Sequence, residues 1–207
     1  MNESLPIKFV FFGESGVGKT SIISQFTVNK FFQDSENELN AKFISKIVSF
    51  PELGKSMKFY IWDTKGNEKY HSQIKTFCKN AKVIILVYDI SNENSFKSIK
   101  NFWYEEIKKN SEKGIIFAII ANKMDLNANQ RVIDDEGEEF ADKIGAIFQS
   151  TSALSDSGIS TLFDNIGKTI LIPGYWGNII QEKLNKQKKK RNLSEFTLLY
   201  LSKYINL

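Results

Sequence analysis

The apolar residues of the chain fall into short continuous or alternating runs and longer stretches with helical spacing. The runs predict strands at residues 5–12, 42–50, 56–62, 82–88, 115–121 and 146–149. The helical spacing predicts helices at residues 21–28, 91–110, 134–144 and 157–171, and a loop that runs into a helix between residues 63 and 79. This alternation predicts a three-layer α/β sandwich around a six-stranded, mostly parallel sheet.

Three local features refine this picture. Residues 51–54 read Pro-Glu-Leu-Gly, which predicts a hairpin and therefore one antiparallel strand. Residues 31–41 are polar, acidic and without a period, so they predict a loop. In the helix predicted at residues 91–110, Ser91 is the candidate N-cap. The apolar stripe of that helix is Phe96, Ile99, Trp103 and Ile107.

Length and composition set limits on the function. The 207 residues predict one domain at residues 1–173 and a tail at residues 174–207. The formal net charge of +4 gives no argument for binding nucleic acid. The single cysteine, Cys78, excludes an internal disulfide and is expected to be a buried side chain rather than a reactive thiol. No signal peptide or membrane-length apolar run is visible, so we expect the protein in the cytoplasm or on the cytoplasmic face of a membrane.

Residues 13–20, Gly-Glu-Ser-Gly-Val-Gly-Lys-Thr, match the phosphate-binding pattern G-x-x-x-x-G-K-S/T between a predicted strand and a predicted helix. The glycines let backbone N–H groups turn toward a phosphate, Lys19 supplies charge for the terminal phosphates, and the Thr20 hydroxyl is placed to bind Mg²⁺. The alternative is a glycine-rich turn with a solvated lysine. The candidate nucleotide-binding residues of this loop are Ser15, Gly16, Val17, Gly18, Lys19, Thr20 and Ser21.

Another motif lies at the end of the third predicted strand, at the edge of the sheet where α/β proteins bind ligands. Asp63 suits a contact to Mg²⁺, which takes few carboxylates and keeps several waters. Gly66 has no Cβ, so its N–H can approach a terminal phosphate. Alone, this D-x-x-G pattern is equally consistent with an ordinary strand-to-loop turn.

The motif Asn122-Lys123-Met124-Asp125 follows another predicted strand. The carboxylate of Asp125 can accept hydrogen bonds from the ring N–H and exocyclic amine of guanine, whereas adenine presents the opposite pattern. Asn122 can tie neighbouring loops together, and the Lys123 stem can lie along the base. After the last predicted strand, Ser152 and Ala153 follow Thr151 and can offer a backbone N–H to the guanine carbonyl.

Together these four motifs, in this order and spacing, resemble the Ras superfamily of small GTPases, and within it most closely the Rab family. The resemblance covers about residues 5–172 and implies a Ras-like fold that binds GTP and GDP, with Mg²⁺ held by Thr20 and Asp63. Phe31 matches an aromatic that packs on the guanine edge, with anchoring of its loop to the core as the alternative. The resemblance also implies effector, exchange-factor and activating proteins, bound through two switch segments, the loop at 31–41 and the segment after Asp63.

The first departure from the family pattern lies in the loop that would sense the terminal phosphate. Counting from Lys19 puts Glu38 where the family has a threonine that contacts Mg²⁺ and phosphate, and Asn40 where it has a glycine. A glutamate there carries negative charge toward a polyanion, unless it reaches Mg²⁺ in a changed geometry. The alternative is a loop that stays open and solvated.

The second departure is Lys65-Gly66-Asn67, where the family has Ala-Gly-Gln. The glutamine orients the attacking water, and Asn67 holds the same amide on a shorter stem. Because a misplacement near 1 Å can cost on the order of a hundredfold in rate, we predict slow GTP hydrolysis. The candidate catalytic residues are Asn67, Gly66 and Lys19. Leu154, where the family often has lysine, is a milder change in the base-binding loop.

The third departure is the tail. Rab proteins usually end in prenylated cysteines, and this sequence ends without one, so we expect no prenyl anchor. Basic residues between 183 and 191 precede apolar residues at roughly helical spacing, which suits peripheral contact with an anionic membrane or a partner groove. A solvated tail is the expectation that ranks first, and a nuclear-localisation mimic is a further alternative. His71 has no second metal-ligating side chain nearby and is expected to be exposed.

Two hypotheses of function follow. The first is a GTP-binding regulatory switch with weak GTPase activity, placed in vesicle trafficking or signalling by family analogy. The second is a non-catalytic scaffold of GTPase fold that binds nucleotide constitutively, which the departures at Glu38 and Asn67 favour. A P-loop kinase or ATPase is disfavoured, because Asn122 and Asp125 form a motif for guanine.

Overall fold

The computed structural model describes residues 6–28, 42–64, 66, 73–183 and 185. The described strands form one six-stranded sheet in the order β2-β3-β1-β4-β5-β6. β2 pairs with β3 in antiparallel register, and every other neighbouring pair in this sheet is parallel. The predicted fold class is therefore confirmed. The strands are β1 Ile7–Phe12, β2 Lys42–Phe50, β3 Lys55–Asp63, β4 Val83–Asp89, β5 Ile116–Asn122 and β6 Ile147–Ser150.

The hairpin between β2 and β3 has the predicted turn. Pro51–Leu53 forms one short 3₁₀ turn, and Gly54 closes it with a φ of 60° and a backbone N–H that donates to the Pro51 carbonyl. Glycine is suited to this left-handed conformation because it lacks a Cβ. The register that follows places Phe43 opposite Trp62 and Phe50 opposite Lys55.

Helices follow the strands in the predicted alternation. α5 has the predicted bounds, while α1 begins two residues earlier and α6 two residues later than the spacing predicts. The described helices are α1 Lys19–Val28, α2 Ile74–Cys78, α3 Glu93–Ser98, α4 Tyr104–Asn110, α5 Asp134–Ile144 and α6 Ile159–Leu171. A π-helical segment, Ile99–Trp103, joins α3 to α4, and a 3₁₀ segment, Met124–Asn129, follows β5.

The prediction of one uninterrupted helix that begins after Ser91 was wrong in two respects. The N-cap is Asn92, whose side chain accepts a hydrogen bond from the backbone N–H of Asn94. Ser91 lies one residue further from the helix and donates its hydroxyl to Asp89. The π-helical segment also interrupts the helix, although the predicted apolar stripe from Phe96 to Ile107 is buried throughout.

Each face of the sheet has its own core. On one face, the rings of Phe9 and Phe59 lie 6.1 and 6.3 Å from the ring of Phe163 in α6. The Phe163 ring stacks on that of Phe26 in α1 with centroids 3.4 Å apart. On the other face, a second apolar cluster joins β1, β4 and β5 to α2, to the helix of residues 93–110 and to α5. The two cores produce the three predicted layers and hold the carboxyl ends of β1, β3, β4 and β5 at one edge.

Cys78 belongs to the second core. Its side chain is 1% exposed, and burial raises the pKa of its thiol. The predicted burial of Cys78 is confirmed. Within the described ranges, no helix is long and apolar enough to cross a bilayer.

The chain divides into two compact units, Met1–Gly167 and Lys168–Leu207. The first holds the sheet and both cores. In the second, helical residues 175–183 place the Lys183 ammonium 5.9 Å from the centroid of the Trp176 ring. The predicted domain boundary at residue 173 stays a prediction, and residues 186–207, with most of the basic tail, lie outside the described residues.

Candidate functional site

The loop between β1 and α1 is shaped by glycines. Gly13, Gly16 and Gly18 have φ values of 137°, 78° and 97°, which side chains other than that of glycine rarely tolerate. A Cβ on Gly13 would lie 2.2 Å from the carbonyl oxygen of Val87, so the loop runs against the end of β4. Ser15 and Gly16 are exposed at the top of this loop. A backbone that turns through glycines in this way can direct successive N–H groups toward a phosphate.

Lys19 lies folded back over this loop. Its ammonium donates to the carbonyl oxygens of Gly13 and Glu14, at 2.8 and 2.7 Å, and the residue is only 6% exposed. Burial lowers the pKa of Lys19 to about 8, although the charges of Asp63 and Glu14 partly oppose this shift. A cation in such a buried position gains strongly from an anionic ligand, because little water is available to solvate it.

Thr20 and Asp63 come together from different elements. The Thr20 hydroxyl, in the first turn of α1, donates to Oδ2 of Asp63 at the end of β3 over 2.6 Å. The parallel pairing of β1 with β3, which sets Phe11 beside Asp63, brings the two residues to the same edge. Hydroxyl and carboxylate oxygens are the ligands that Mg²⁺ prefers, so this pair is chemically suited to that ion.

Gly66 packs directly against the phosphate-binding loop. A Cβ built on it would lie 2.2 Å from the carbonyl carbon of Glu14 and 2.3 Å from the backbone nitrogen of Ser15. Thr64, two residues earlier, donates its hydroxyl to the Phe11 carbonyl at 2.5 Å and holds this segment against β1. The D-x-x-G motif is therefore beside the first motif, and no larger residue fits at Gly66.

Asn122, at the end of β5, ties the loops together. Its side chain is fully buried and donates to the carbonyl of Val17 over 2.8 Å. Its Oδ1 accepts a hydrogen bond from the Thr151 hydroxyl at 3.0 Å. One amide therefore links the phosphate-binding loop, the end of β5 and the loop after β6, as the sequence predicts.

Asp125 is exposed and is oriented by the loop after β6. Its Oδ1 accepts a hydrogen bond from the Ser152 hydroxyl, whose oxygen also accepts from the backbone N–H of Ser155 at 3.2 Å. Ser152 and Ala153 are buried, whereas Leu154 is 60% exposed. The carboxylate is thus fixed at the surface, where a ligand can reach it.

Lys123 has a partner that the sequence patterns missed. Its ammonium lies 2.7 Å from Oδ2 of Asp89, and the backbone of Lys123 has a φ of 68°. Burial alone would raise the pKa of Asp89, but hydrogen bonds from Lys123 and Ser91 outweigh it and hold that pKa below its usual range. Asp89 ends β4, so the rule that ligands bind at the carboxyl ends of parallel strands was a signal that could have found it.

The structure thus brings together the predicted residues of the phosphate-binding loop, Asp63 and Gly66 on one side, and Asn122, Lys123, Asp125, Ser152 and Ala153 on the other. Several predictions lie outside the described residues and stay predictions. They concern Phe31, Glu38, Asn40, Lys65, Asn67 and His71.

Comparison with known proteins gives one consistent result. Residues 8–172 match the model of the Ras family. The chain is 34% identical to the Ras-related protein RabC of Dictyostelium discoideum over 185 residues, which cover 89% of this chain and 94% of the relative. It is 34% identical to the Ras-related protein Rab-5A of the same organism over 82% of this chain and 83% of the relative. It is 35% identical to the Ras-related protein Rab-21 of Geodia cydonium over 79% of this chain and 70% of the relative.

Proposed function

The chain belongs to the Ras family, as a Rab-like small GTPase, and we propose that it is a GTP- and GDP-binding switch of vesicle trafficking with slow intrinsic hydrolysis. One observation carries the nucleotide part of this proposal. The buried Asn122 amide joins a loop shaped for phosphate to a loop that presents Asp125. A ligand with phosphates at one end and a guanine-like edge at the other would match both groups at once.

The phosphate end is assigned to residues 13–21. The backbone N–H groups of the glycine-rich loop and the start of α1 would bind the phosphate oxygens, because both supply partial positive charge. Lys19 would keep the carbonyls of Gly13 and Glu14 as partners, and its third N–H donor would bind a phosphate oxygen. Gly66 lies against the same loop, where its N–H would contact a terminal phosphate.

Mg²⁺ is assigned to Thr20 and Asp63. Their oxygens already lie within 2.6 Å of each other, and a carboxylate with a hydroxyl suits this ion. When bound, the ion would neutralise phosphate charge and lower the cost of charge that develops during hydrolysis. The Thr20 hydroxyl would then turn its lone pair, rather than its proton, toward the site.

The base end is assigned to Asn122, Lys123, Asp125, Ser152 and Ala153. Asp125 would accept hydrogen bonds from the ring N–H and the amine of guanine. The Ser152 hydroxyl donates to the same carboxylate and orients it. The Lys123 stem would lie along the base while Asp89 fixes its ammonium. Leu154 and Phe31 are assigned as apolar neighbours of the base.

Slow hydrolysis is assigned to Asn67. Asn67 lies outside the described ranges, and its side chain has one methylene fewer than that of glutamine. The water that attacks GTP would therefore be oriented poorly without help from an activating protein. Glu38, which replaces a threonine of the family pattern, would in addition weaken the binding of GTP relative to GDP.

Effectors and regulators are assigned to the surface beside the switch segments. β2 is the edge strand of the sheet, and its Phe43 is 49% exposed with its ring 5.1 Å from Tyr60 and 5.4 Å from Trp62. Exposed aromatic clusters of this kind favour protein partners. Peripheral membrane contact through the basic residues near 183–191 is a further part of the proposal, and we place the protein on the cytoplasmic face.

A scaffold of GTPase fold is the second candidate, and the sequence observation that favours it is the pair of departures at Glu38 and Asn67. Single-turnover hydrolysis of GTP with Mg²⁺ separates the two. The switch predicts slow but measurable turnover, and Asn67→Gln should raise it by roughly tenfold or more. Asn94→Gln, the same change at an exposed position of α3, is the matched control. No turnover in either the wild type or Asn67→Gln would support the scaffold instead.

A further inference from the structure

Glu14 occupies a variable position of the phosphate-binding pattern, yet its carboxylate accepts two hydrogen bonds from a distant helix. Its Oε1 accepts hydrogen bonds from the Ser98 hydroxyl and from the indole N–H of Trp103, the latter at 3.1 Å. Both donors come from the helical layer of residues 93–110. The bonds connect positions 84 and 89 residues apart in the chain. A loop side chain is thus tied to a distant helix.

The π-helical segment explains how two donors reach one oxygen. Ser98 directly precedes the π-helical segment and Trp103 is its last residue, so the two donors are five residues apart. In an ordinary α-helix, positions five apart differ by about 140° around the axis and cannot face the same group. The wider turn of a π-helix brings such positions nearer to one face, and π segments recur at functional sites. Trp103 is 1% exposed, so its N–H is held in a fixed direction.

The peptide of Glu14 meets the two groups that would act on a terminal phosphate. Its carbonyl oxygen accepts from the Lys19 ammonium at 2.7 Å. Its carbonyl carbon is the atom that a Cβ on Gly66 would strike at 2.2 Å, so the two backbones are in contact. A shift of the Glu14 peptide would therefore move the Lys19 ammonium and would also change the contact between the Glu14 and Gly66 backbones.

The carboxylate also carries a charge that must be kept from the phosphates. A free glutamate beside a polyanion would repel it, and the repulsion would be strong in a site poor in water. Two donors on the helix side hold this carboxylate in place. The rings of Phe12 and Trp103 lie 5.8 Å apart, so an apolar contact also joins the end of β1 to the π-helical segment.

We propose that Glu14 is a positioning residue that couples the phosphate-binding loop to the π-helical segment and sets the preference for a nucleoside triphosphate over a diphosphate. This inference rests on the proposed function. With Ser98 and Trp103 in place, the Glu14 peptide holds Lys19 and supports Gly66 where the terminal phosphate lies. Without them, the loop still binds a diphosphate through its glycine backbone but loses the geometry for the third phosphate.

The test compares equilibrium affinities for GDP and for a non-hydrolysable GTP analogue in Mg²⁺. Glu14→Ala should weaken binding of the analogue by roughly tenfold, as expected for lost bonds to a charged group, and binding of GDP by much less. Glu14→Gln keeps an acceptor for both donors and should recover most of the lost preference. A purely structural role would lower the melting temperature and both affinities together.

The partner side gives an independent variant if Glu14→Ala fails to fold. Ser98→Ala combined with Trp103→Phe removes both donors while keeping a ring in the core, and it should reproduce the selective loss. Adding Glu14→Ala to that pair should cause no further loss. Trp176→Phe, the same change in the second unit, is the matched control.

Equal losses for GDP and the analogue in Glu14→Ala, or losses that simply add in the triple variant, would overturn the inference. Those outcomes leave the proposed function intact, because the wild type still binds both nucleotides. If the wild type binds neither nucleotide, the proposed function fails, and the inference fails with it.

Discussion

The phosphate side of the candidate site is shaped mainly by backbone, whereas the base side is shaped by bonds between side chains. Residues 13–20 curve through three glycines at positive φ and offer N–H groups and one buried lysine. The base side depends on the pairs Asn122 with Thr151, Asp125 with Ser152, and Lys123 with Asp89.

The two sides of the site therefore control different properties of nucleotide binding. Backbone N–H groups bind any phosphate, so the phosphate side sets the strength of binding and the number of phosphates. Side-chain donors and acceptors distinguish bases, because a mismatch leaves buried groups unpaired. Substitutions on the two sides should therefore change nucleotide binding in different ways.

Lys19→Ala should be the most damaging change. Loss of the buried ammonium should reduce affinity for GDP by about a thousandfold, or about 4 kcal/mol, whatever base the nucleotide carries. The free energy of unfolding of the nucleotide-free protein should not fall, because a buried charge with a lowered pKa is costly in that state. Lys97→Ala, at an exposed pair with Glu93, is the control for calorimetric binding and denaturant unfolding. Retained GDP affinity in Lys19→Ala would contradict the phosphate assignment.

Asp125→Asn should change base preference rather than phosphate binding. The amide offers one acceptor and one donor, so GDP should lose roughly a hundredfold in affinity. Xanthosine diphosphate should gain, because its second ring carbonyl accepts the new donor. Competition between the two nucleotides measures the switch, and Asp135→Asn on the exposed start of α5 should leave it unchanged. Equal weakening of both nucleotides would mean that Asp125 does not read the base.

Gly18→Ala should damage the point where the two sides meet. At its φ of 97° the backbone of any residue with a Cβ is strained, and the alanine Cβ would lie 2.3 Å from Nδ2 of Asn122. We expect a loss of about 1–3 kcal/mol in the free energy of unfolding, measured without nucleotide. Gly16→Ala has the same kind of strained φ with open space around the Cβ, so it should cost less. Equal costs would show that Asn122 can move aside and that the two sides are independent.

Asp89→Asn should have the smallest effect. The variant keeps the shape but removes the charge that fixes Lys123, so GDP affinity should fall by only about two- to fivefold. A double-mutant cycle with Lys123→Met should show that the two changes are not additive. Because the folded protein lowers the pKa of Asp89, the stabilisation is present above its ordinary value of 3.8 and is lost as pH falls through the lowered value. Additive losses would contradict the role given to this pair.

The predictions from sequence succeeded where local chemistry decides the structure. Alternation along residues 42–50 and the helical spacing of residues 134–144 give the bounds of β2 and α5 directly. The glycine spacing and the strand ends also indicate most of the residues that meet at one edge of the sheet, although they miss Asp89. Each of these signals depends on residues close together in the chain, so pattern reasoning can reach it.

The failures involve contacts between distant segments. The π-helical segment leaves no mark in the apolar stripe, because Phe96, Ile99, Trp103 and Ile107 keep their spacing through it. Ser91 and Asn92 are both residue types that cap helices well, and in the folded protein Ser91 bonds to Asp89 while Asn92 caps α3. The side chain of Glu14 occupies a variable position, and its donors lie on another helix. Such choices are made by tertiary packing rather than by local propensity.

Parallel binding of GDP and a non-hydrolysable GTP analogue to the purified protein with Mg²⁺ is the decisive test of the nucleotide switch. We predict that both bind tightly, within about tenfold of each other, and that ATP does not compete, because the Asp125 carboxylate would reject adenine. Tight binding of GDP with little affinity for the analogue would contradict the switch, because no GTP-bound state would then form. That result would point to repulsion between Glu38 and the terminal phosphate, and to a scaffold.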